Sequence, residues 1–168
     1  MLVALTICAP LAACSESTWP SPTVVRVVHA CSLISAAQVS DALGTPVTQV
    51  TNETASCSWS STSHTAIGNF DPTESPPPNT AVLGAAISIL SGSAAANAQS
   101  LFHPPAMRST SVTVPGSDAA YLLSGPHIGI ILAQRGATAI RVDVLRGKTE
   151  DPYLEERIAV VVVKRLPS

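Results

Sequence analysis

Two cysteines, one before a helix and one within the strand that follows, restrict how this region of the chain can fold. Cys31 stands just before the helix, and Cys57 lies in the strand two residues before Trp59. Alternate strand residues share a face, so Cys57 and Trp59 are expected on the buried side and Ser58 and Ser60 on the other. A Cys31–Cys57 bond would pin the helix to the sheet, with a contribution of roughly 3 kcal/mol. Two buried free thiols are the alternative, which a cytosolic location would favour.

The helix between the cysteines has a start signal and a stop signal. Ser35 followed by Gln38 is a capping box, in which each residue's side chain satisfies the other's backbone. Gly44 suits the left-handed position that ends a helix, and Pro46 prevents a restart. The residues between them place an apolar stripe at helical spacing, formed by Ala36, Val39, Ala42 and Leu43.

The first residues of the chain predict its compartment. Residues 1–13 are almost wholly apolar and match the core of a signal peptide, ending in Leu11-Ala12-Ala13-Cys14, which resembles a bacterial lipobox. We expect a lipoprotein signal peptide at 1–13, a lipidated Cys14 that opens a tether at 14–23, and one globular domain at 24–168. No Lys or Arg precedes the apolar stretch, which leaves open whether Met1 is the natural start. An apolar leader cleaved after an Ala, with a chance Cys, is the alternative.

Acylation of Cys14 agrees with the cysteine count. Two acyl chains of the palmitate type on one residue are enough for stable anchoring. Cys8 would leave with the leader, and Cys31 and Cys57 would remain as an even pair in an oxidising space. The predicted location is therefore the outer face of the cell membrane, with the membrane itself as the first partner.

The composition fits one exported globular domain. The 168 residues carry a formal net charge of −2, so no basic face for nucleic acid is predicted. Charged residues make up 12% and aromatic residues 4%, which indicates a core built from small side chains.

Alternation and turn residues predict the strands. Residues 69–80, with several prolines, are expected to form an exposed loop. Turns are expected at 115–118, at Gly125-Pro126 and at Arg135-Gly136. The last strand should turn Ile140 and Val142 inwards and Arg141 and Asp143 outwards. The predicted strands are 47–51, 55–61, 82–90, 112–114, 119–124, 128–134 and 138–144.

Two further helices are predicted. Residues 93–102 are rich in alanine, and the last helix starts at Asp151 with Pro152 in its first turn. A strand at 160–163 is the rival interpretation, because four valines in a row resist helix. The chain is therefore expected to fold as an α+β domain, with an antiparallel sheet packed by about three helices and one disulfide.

Several motifs in order resemble one family. The lipobox Cys14, the short Pro/Ser tether, the stretch from Cys31 to Gly44, the Cys57-Ser58-Trp59 triplet and the turn from Val114 to Tyr121 are similar to actinobacterial lipoproteins grouped as domain of unknown function 3558. The likeness covers about residues 31–166. Members usually carry a second glycine before the Asp, where this chain has Ser117.

The resemblance implies an envelope lipoprotein of mycobacteria, nocardiae or their relatives. Related exported lipoproteins include folds similar to PsbP, an α+β sandwich, so a PsbP-like arrangement is implied as well. The family brings no established activity and no catalytic residues.

Motifs for catalysis are missing from the chain. It has no Gly-x-Ser-x-Gly elbow and no Ser-x-x-Lys pair. Asp118 is interpreted as a turn or cap residue, and Glu150-Asp151 and Glu155-Glu156 as helix-start charges. We therefore predict no catalytic residue, no metal and no cofactor. The histidines lack metal-ligand spacing and are interpreted as surface or capping residues: His29, His64, His103 and His127.

Three functional hypotheses follow. The first is a non-enzymatic domain that binds an envelope protein or wall component through residues 69–80 and the loops near His103 and Gly125. The second is a carrier of lipid or another hydrophobic ligand, in which small side chains leave a cavity between sheet and helix. Those side chains could instead permit close packing: Gly84, Ala85, Ala86, Ala119, Ala120 and Gly129. An enzyme ranks third.

Overall fold

A computed structural model describes residues 27–61, 84–91, 108–125, 127–146, 151 and 153–167. Over these residues the chain forms a 3-10 turn, two α-helices and seven strands. Their bounds are 3-10 turn Ala30–Ser32, α1 Ala36–Leu43, β1 Thr48–Asn52, β2 Ser56–Ser60, β3 Gly84–Ser91, β4 Arg108–Ser111, β5 Ala119–Ser124, β6 Ile128–Arg135, β7 Thr138–Leu145 and α2 Leu154–Val163.

The strands form one antiparallel sheet. Across the described residues its order is β1-β2-β3-β7-β6-β5-β4. Two meanders, β1-β2-β3 and β4-β5-β6-β7, therefore lie side by side and join through the β3–β7 pair. The predicted α+β class with an antiparallel sheet is confirmed.

Helix α1 begins and ends where the sequence predicts. The Ser35 hydroxyl accepts from the Gln38 N–H, and the Gln38 side chain accepts from the Ser35 N–H, which completes the capping box. Gly44 follows in the left-handed conformation with φ of 66°. Val39 and Leu43 carry the buried side of the helix.

Both described helices pack on one side of the sheet, which we call the helix face. Helix α2 lies against β6 and β7 and contacts α1. Two arginines also connect α2 with the start of the domain. Arg157 Nη1 donates to the Ala42 carbonyl at 3.2 Å, and Arg165 Nη1 donates to the Leu33 carbonyl at 2.8 Å. The sheet's contribution to this core includes Cys57, Trp59, Ala85, Ile87, Val114, Ala120, Ile131, Ala133, Ile140, Val142 and Val144.

The opposite side of the sheet, which we call the far face, is also buried. Its apolar cluster comprises Ala86, Leu123, Ile128, Ile130, Leu132 and Leu145. Strand β3 has buried residues on both faces, as predicted for residues 82–90. Ser58 and Ser60 are buried here at 1% exposure each, so both faces of β2 are covered.

The structure corrects two strand predictions. Residues 112–114 are not a strand, and the edge strand β4 lies earlier, at Arg108–Ser111. Sequence periodicity missed β4 because Ser109, Thr110 and Ser111 are exposed and therefore lack apolar alternation. In β7, Asp143 does not face solvent. It is only 7% exposed and lies on the far face.

The last element is a helix, so the rival strand interpretation at 160–163 is wrong. Its N-cap is Tyr153 rather than Asp151, whose Oδ1 accepts from the Tyr153 N–H at 2.9 Å. The helix ends at Val163, where the Arg135 guanidinium donates to the terminal carbonyl at 3.0 Å. Among the described helices, neither has the length and apolar character that crossing a membrane requires.

Two structural predictions lie outside the described residues. They are the helix at 93–102 and the loop at 69–80. The predicted turn at 115–118 is present, with the Ser117 N–H donating to the Val114 carbonyl at 3.0 Å. The β6–β7 hairpin turns at Gly136 and Ala137, because Arg135 already pairs with Thr138.

Candidate functional site

The predicted disulfide is present and connects the 3-10 turn to the sheet. Cys31 and Cys57 are bonded, with their Cα atoms 5.1 Å apart. Both sulfurs lie 3.5 Å from the Thr51 carbonyl oxygen on the neighbouring strand. The pairing of β1 with β2 shifts by one residue between Gln49 and Thr51, so a bulge lies beside the disulfide. The bond joins the 3-10 turn that precedes α1 to the second residue of β2.

Most of the other predicted site regions lie outside the described residues. Cys14, the predicted lipidation site, is one of them, and so are residues 69–80 and His103. The loop near Gly125 is described in part. His127 is exposed there, and its carbonyl accepts from the Arg146 N–H at 2.9 Å.

A buried ion pair lies between α2 and the end of β7. Glu155 is fully buried, and its Oε1 accepts from Arg146 Nε at 2.6 Å. The Arg146 side chain is 14% exposed. Glu155 Oε2 and Arg146 Nη2 are buried and have no hydrogen-bond partner in the part of the chain that the structure describes. Glu155 lies in the first turn of α2, as its interpretation as a helix-start charge predicts, but its burial was not predicted.

Gly129 on β6 provides the space for this pair. A Cβ built on Gly129 would overlap Oε1 of Glu155 and lie 2.8 Å from Nη2 of Arg146. The glycine is therefore required for close approach rather than for an unusual backbone conformation. At this position the small residue permits packing, and the ion pair fills the space in which a ligand cavity was considered.

A second ion pair lies on the far face. Arg141 and Asp143 are two residues apart on β7, and Arg141 Nη2 lies 2.6 Å from Asp143 Oδ1. Burial raises the pKa of the Asp143 carboxyl, and the Arg141 charge and hydrogen bond oppose this rise. On the neighbouring β3 strand, Asp143 pairs with Ala86. The pair thus places charge in the middle of an apolar face.

Asp118 has a structural partner. Its Oδ2 accepts from the Gly136 N–H at 2.6 Å, and its own N–H donates to the Gln134 carbonyl at 2.7 Å. The turn after Val114 is thereby tied to the β6–β7 hairpin. This contact explains Asp118 as a turn residue, in agreement with its sequence interpretation.

The start and end of the described domain meet at a surface groove. A cavity of about 280 Å³ lies between the segment before the disulfide and the residues after α2. Val27 is 63% exposed at its rim. Lys164 and Arg165 are exposed at the end of α2. The cavity is lined by Val27, Val28, His29, Ser32, Leu33, Arg165 and Pro167.

Over the described ranges, no three His, Cys, Asp or Glu side chains come together in a way that could hold a metal ion. His29 and His127 are exposed, and they lie in separate loops.

No family model, no curated protein and no solved structure matches this chain. The resemblance to the actinobacterial lipoproteins therefore depends on the order of the motifs in the sequence alone.

Sequence reasoning missed both ion pairs, although each left a signal. Arg141 and Asp143 are two residues apart on a strand and must share a face. Glu155 lies on the same helical stripe as Ala159 and Val162. An apolar stripe drawn through those two residues would have predicted that the Glu155 side chain is buried. The sequence gives no sign that Arg146 would meet Glu155, because eight residues, 147–154, separate them.

Proposed function

We propose that this chain is an exported, lipid-anchored protein of the cell envelope whose domain binds a partner protein or a wall component. The observation that carries the proposal is the Cys31–Cys57 disulfide. Such bonds persist in oxidising compartments and are rare in the cytosol. The bond therefore supports export, in agreement with the apolar leader that precedes Cys14.

The proposed anchor is Cys14. Residues 1–13 serve as the lipoprotein signal peptide, and acyl chains on Cys14 hold the protein at the outer face of the cell membrane. Residues 14–23 act as the tether, and residues 24–168 form the single domain. No nucleic acid, metal or cofactor is part of this proposal.

The proposed binding surface is the end of the sheet that carries the Gly125 loop. Ser60, Gly84, Ile128 and Leu145 lie in paired positions at this end. In the sequence, residues 69–80 lie between β2 and β3, which pair through Ser60 and Gly84 at this end. Loops that a rigid sheet positions are common binding elements. Binding rather than catalysis is proposed, because no catalytic motif is present in the sequence.

The finer description of the fold belongs to the same proposal. We propose a third helix at residues 93–102 and a PsbP-like arrangement of helices and sheet. Membership of the actinobacterial family grouped as domain of unknown function 3558 is proposed from the motif order. The antiparallel sheet and the disulfide support this assignment without testing it.

The anchor is tested by replacing Cys14. The wild-type protein, expressed in an actinobacterial host and extracted with a phase-separating detergent, should enter the detergent-rich phase. The Cys14→Ala variant should move to the aqueous phase or keep its leader. A Cys8→Ala variant is the matched control, because that residue leaves with the leader. Unchanged partitioning of a Cys14→Ala chain from which the leader has been removed would contradict the lipoprotein assignment.

A carrier of lipid or another hydrophobic ligand is the second candidate. The observation in its favour is the far face, whose apolar cluster surrounds the Arg141–Asp143 pair. Polar groups within an apolar site are typical of ligand pockets. Native mass spectrometry of the protein in mild detergent tests this candidate. A reproducible additional lipid mass would favour it, and a bare domain would leave partner binding as the function. An enzyme is the least favoured of the three.

A further inference from the structure

The groove where the two ends of the described domain meet combines features that suit a membrane surface. We call it the terminal face and define it by the cavity-lining residues Val27, His29, Ser32, Arg165 and Pro167. Val27 is 63% exposed, and among the described residues only Tyr153 is a comparably exposed large hydrophobic side chain. Arg165 is exposed at the cavity of about 280 Å³, and the exposed Lys164 precedes it in the sequence.

We propose that the terminal face lies against the membrane and binds the anionic headgroups of phospholipids. The inference rests on the proposed anchor at Cys14. Exposed basic side chains close to a bilayer are attracted to anionic headgroups. An apolar side chain such as Val27 can enter the boundary between headgroups and acyl chains.

The chain itself limits how far this face can move from the bilayer. Val27 follows Cys14 by 13 residues in the sequence. A fully extended chain covers at most about 3.6 Å per residue, so Val27 stays within about 47 Å of the acylated residue. This tether makes weak contacts of the terminal face with lipid effectively intramolecular, and weak contacts are then enough to orient the domain.

A local contact keeps the Arg165 guanidinium at this face. Arg165 Nη1 donates to the Leu33 carbonyl at 2.8 Å, which fixes the end of α2 beside the 3-10 turn. Among the carboxylates near this region, Glu53 adjoins Thr54, whose carbonyl accepts from the Ala30 N–H. The Glu53 carboxylate accepts from the Ser56 hydroxyl at 2.8 Å, so it is engaged at the β1–β2 turn.

Lysine labelling tests the proposal, because the chain has two lysines, Lys148 and Lys164. The full chain with its natural anchor is placed in detergent, in phosphatidylcholine vesicles, and in vesicles that also contain phosphatidylglycerol. A membrane-impermeant amine reagent labels both lysines. Lys148 serves as the internal reference, because it is the other lysine of the chain.

We expect the labelling ratio of Lys164 to Lys148 to fall at least threefold on the anionic vesicles and less on the neutral ones. Val27→Ser should restore about half of this loss. Tyr153→Ser is the matched control, since Tyr153 is 60% exposed at the other end of α2, and it should change nothing.

The outcomes separate this inference from the anchor on which it depends. Failure of the protein to float with either kind of vesicle would overturn the anchor and this inference together. Flotation with an unchanged labelling ratio would overturn this inference alone. Protection of Lys164 that is already complete in detergent would also overturn it, because a second copy or a protein partner would then cover the face.

Discussion

Glu155 occupies the space that a side chain at residue 129 would need. Its carboxylate is fully buried, and one oxygen pairs with Arg146. Removing a carboxylate from water costs several kcal/mol, which an ion pair offsets only when the geometry is good. Gly129, Arg146 and Glu155 therefore depend on one another, and a change in any of them should disturb the other two.

Gly129→Ala tests this dependence. The added methyl group must displace the Glu155 carboxylate, so we expect the free energy of unfolding to fall by about 2–4 kcal/mol. Urea unfolding, followed by circular dichroism with the disulfide intact, measures the change. The same substitution in a Glu155→Ala background should cost much less, because the methyl group then has room. An equal cost in both backgrounds would show that the ion pair does not restrict residue 129.

Asp143 makes the stability depend on pH. Burial raises its pKa above the ordinary value of 3.8, against the opposing effect of Arg141. The folded protein thus holds this proton to a higher pH than the unfolded chain does. The contribution of Asp143 to stability is complete below pH 3.8 and is lost as the pH rises through the folded pKa.

Asp143→Asn removes that dependence. The difference in unfolding free energy, wild type minus variant, should fall as the pH rises from 3.8 towards neutrality. Urea midpoints at a series of pH values measure it, and Asp41→Asn serves as the control for an exposed aspartate. A difference that is constant or rises with pH would contradict the assigned direction of the pKa shift.

At the level of elements, the disulfide attaches the first helix to the sheet. It closes a loop over a sequence separation of 26 residues. In the chain-entropy model a loop of that length contributes about 3.5 kcal/mol, chiefly by restricting the unfolded chain. The Ala30 N–H also donates to the Thr54 carbonyl at 2.9 Å, so the 3-10 turn has a second attachment to the same hairpin.

Removal of the disulfide should therefore lower stability without abolishing the fold of the sheet. For the Cys31→Ala/Cys57→Ala variant we expect a loss of about 3–4 kcal/mol in urea unfolding. The reduced wild-type protein should show a similar loss. A loss of less than about 1 kcal/mol would mean that other contacts hold α1 in place.

Elements with a local signal were predicted well from the sequence. The Ser35 cap and Gly44 define α1, and alternation gave β5 and nearly all of β6 and β7. The edge strand β4 was missed because its exposed Ser and Thr residues carry no alternation. The cap of α2 was misplaced by two residues, since Asp151 hydrogen-bonds the Tyr153 N–H before the helix begins.

Among the site residues, too, only those with a local sequence signal could be predicted. The Cys31–Cys57 pair could be predicted because both cysteines have recognisable local surroundings. The Arg146–Glu155 pair could not, because it depends on how α2 lies over Gly129 after the chain has folded back. Contacts between distant segments leave no periodic pattern in a single sequence.

For the whole molecule, the central strands of the sheet are buried on both faces, and the disulfide joins β2 to the 3-10 turn before α1. Helices α1 and α2 cover the helix face, and Arg157 and Arg165 connect α2 to the start of the domain. The terminal face includes Val27, the first described residue after Cys14 in the sequence. This arrangement suits a domain that is held at a surface by its N-terminal side.

The most direct measurement is the intact mass of the protein isolated from an actinobacterial envelope. The proposed function predicts a chain that begins at Cys14, carries the mass of its acyl chains, and is lighter by two protons than its reduced form. A chain that begins elsewhere and has no acyl mass would contradict the proposed anchor. Free thiols at Cys31 and Cys57 would contradict the oxidised domain on which the assignment to the envelope depends.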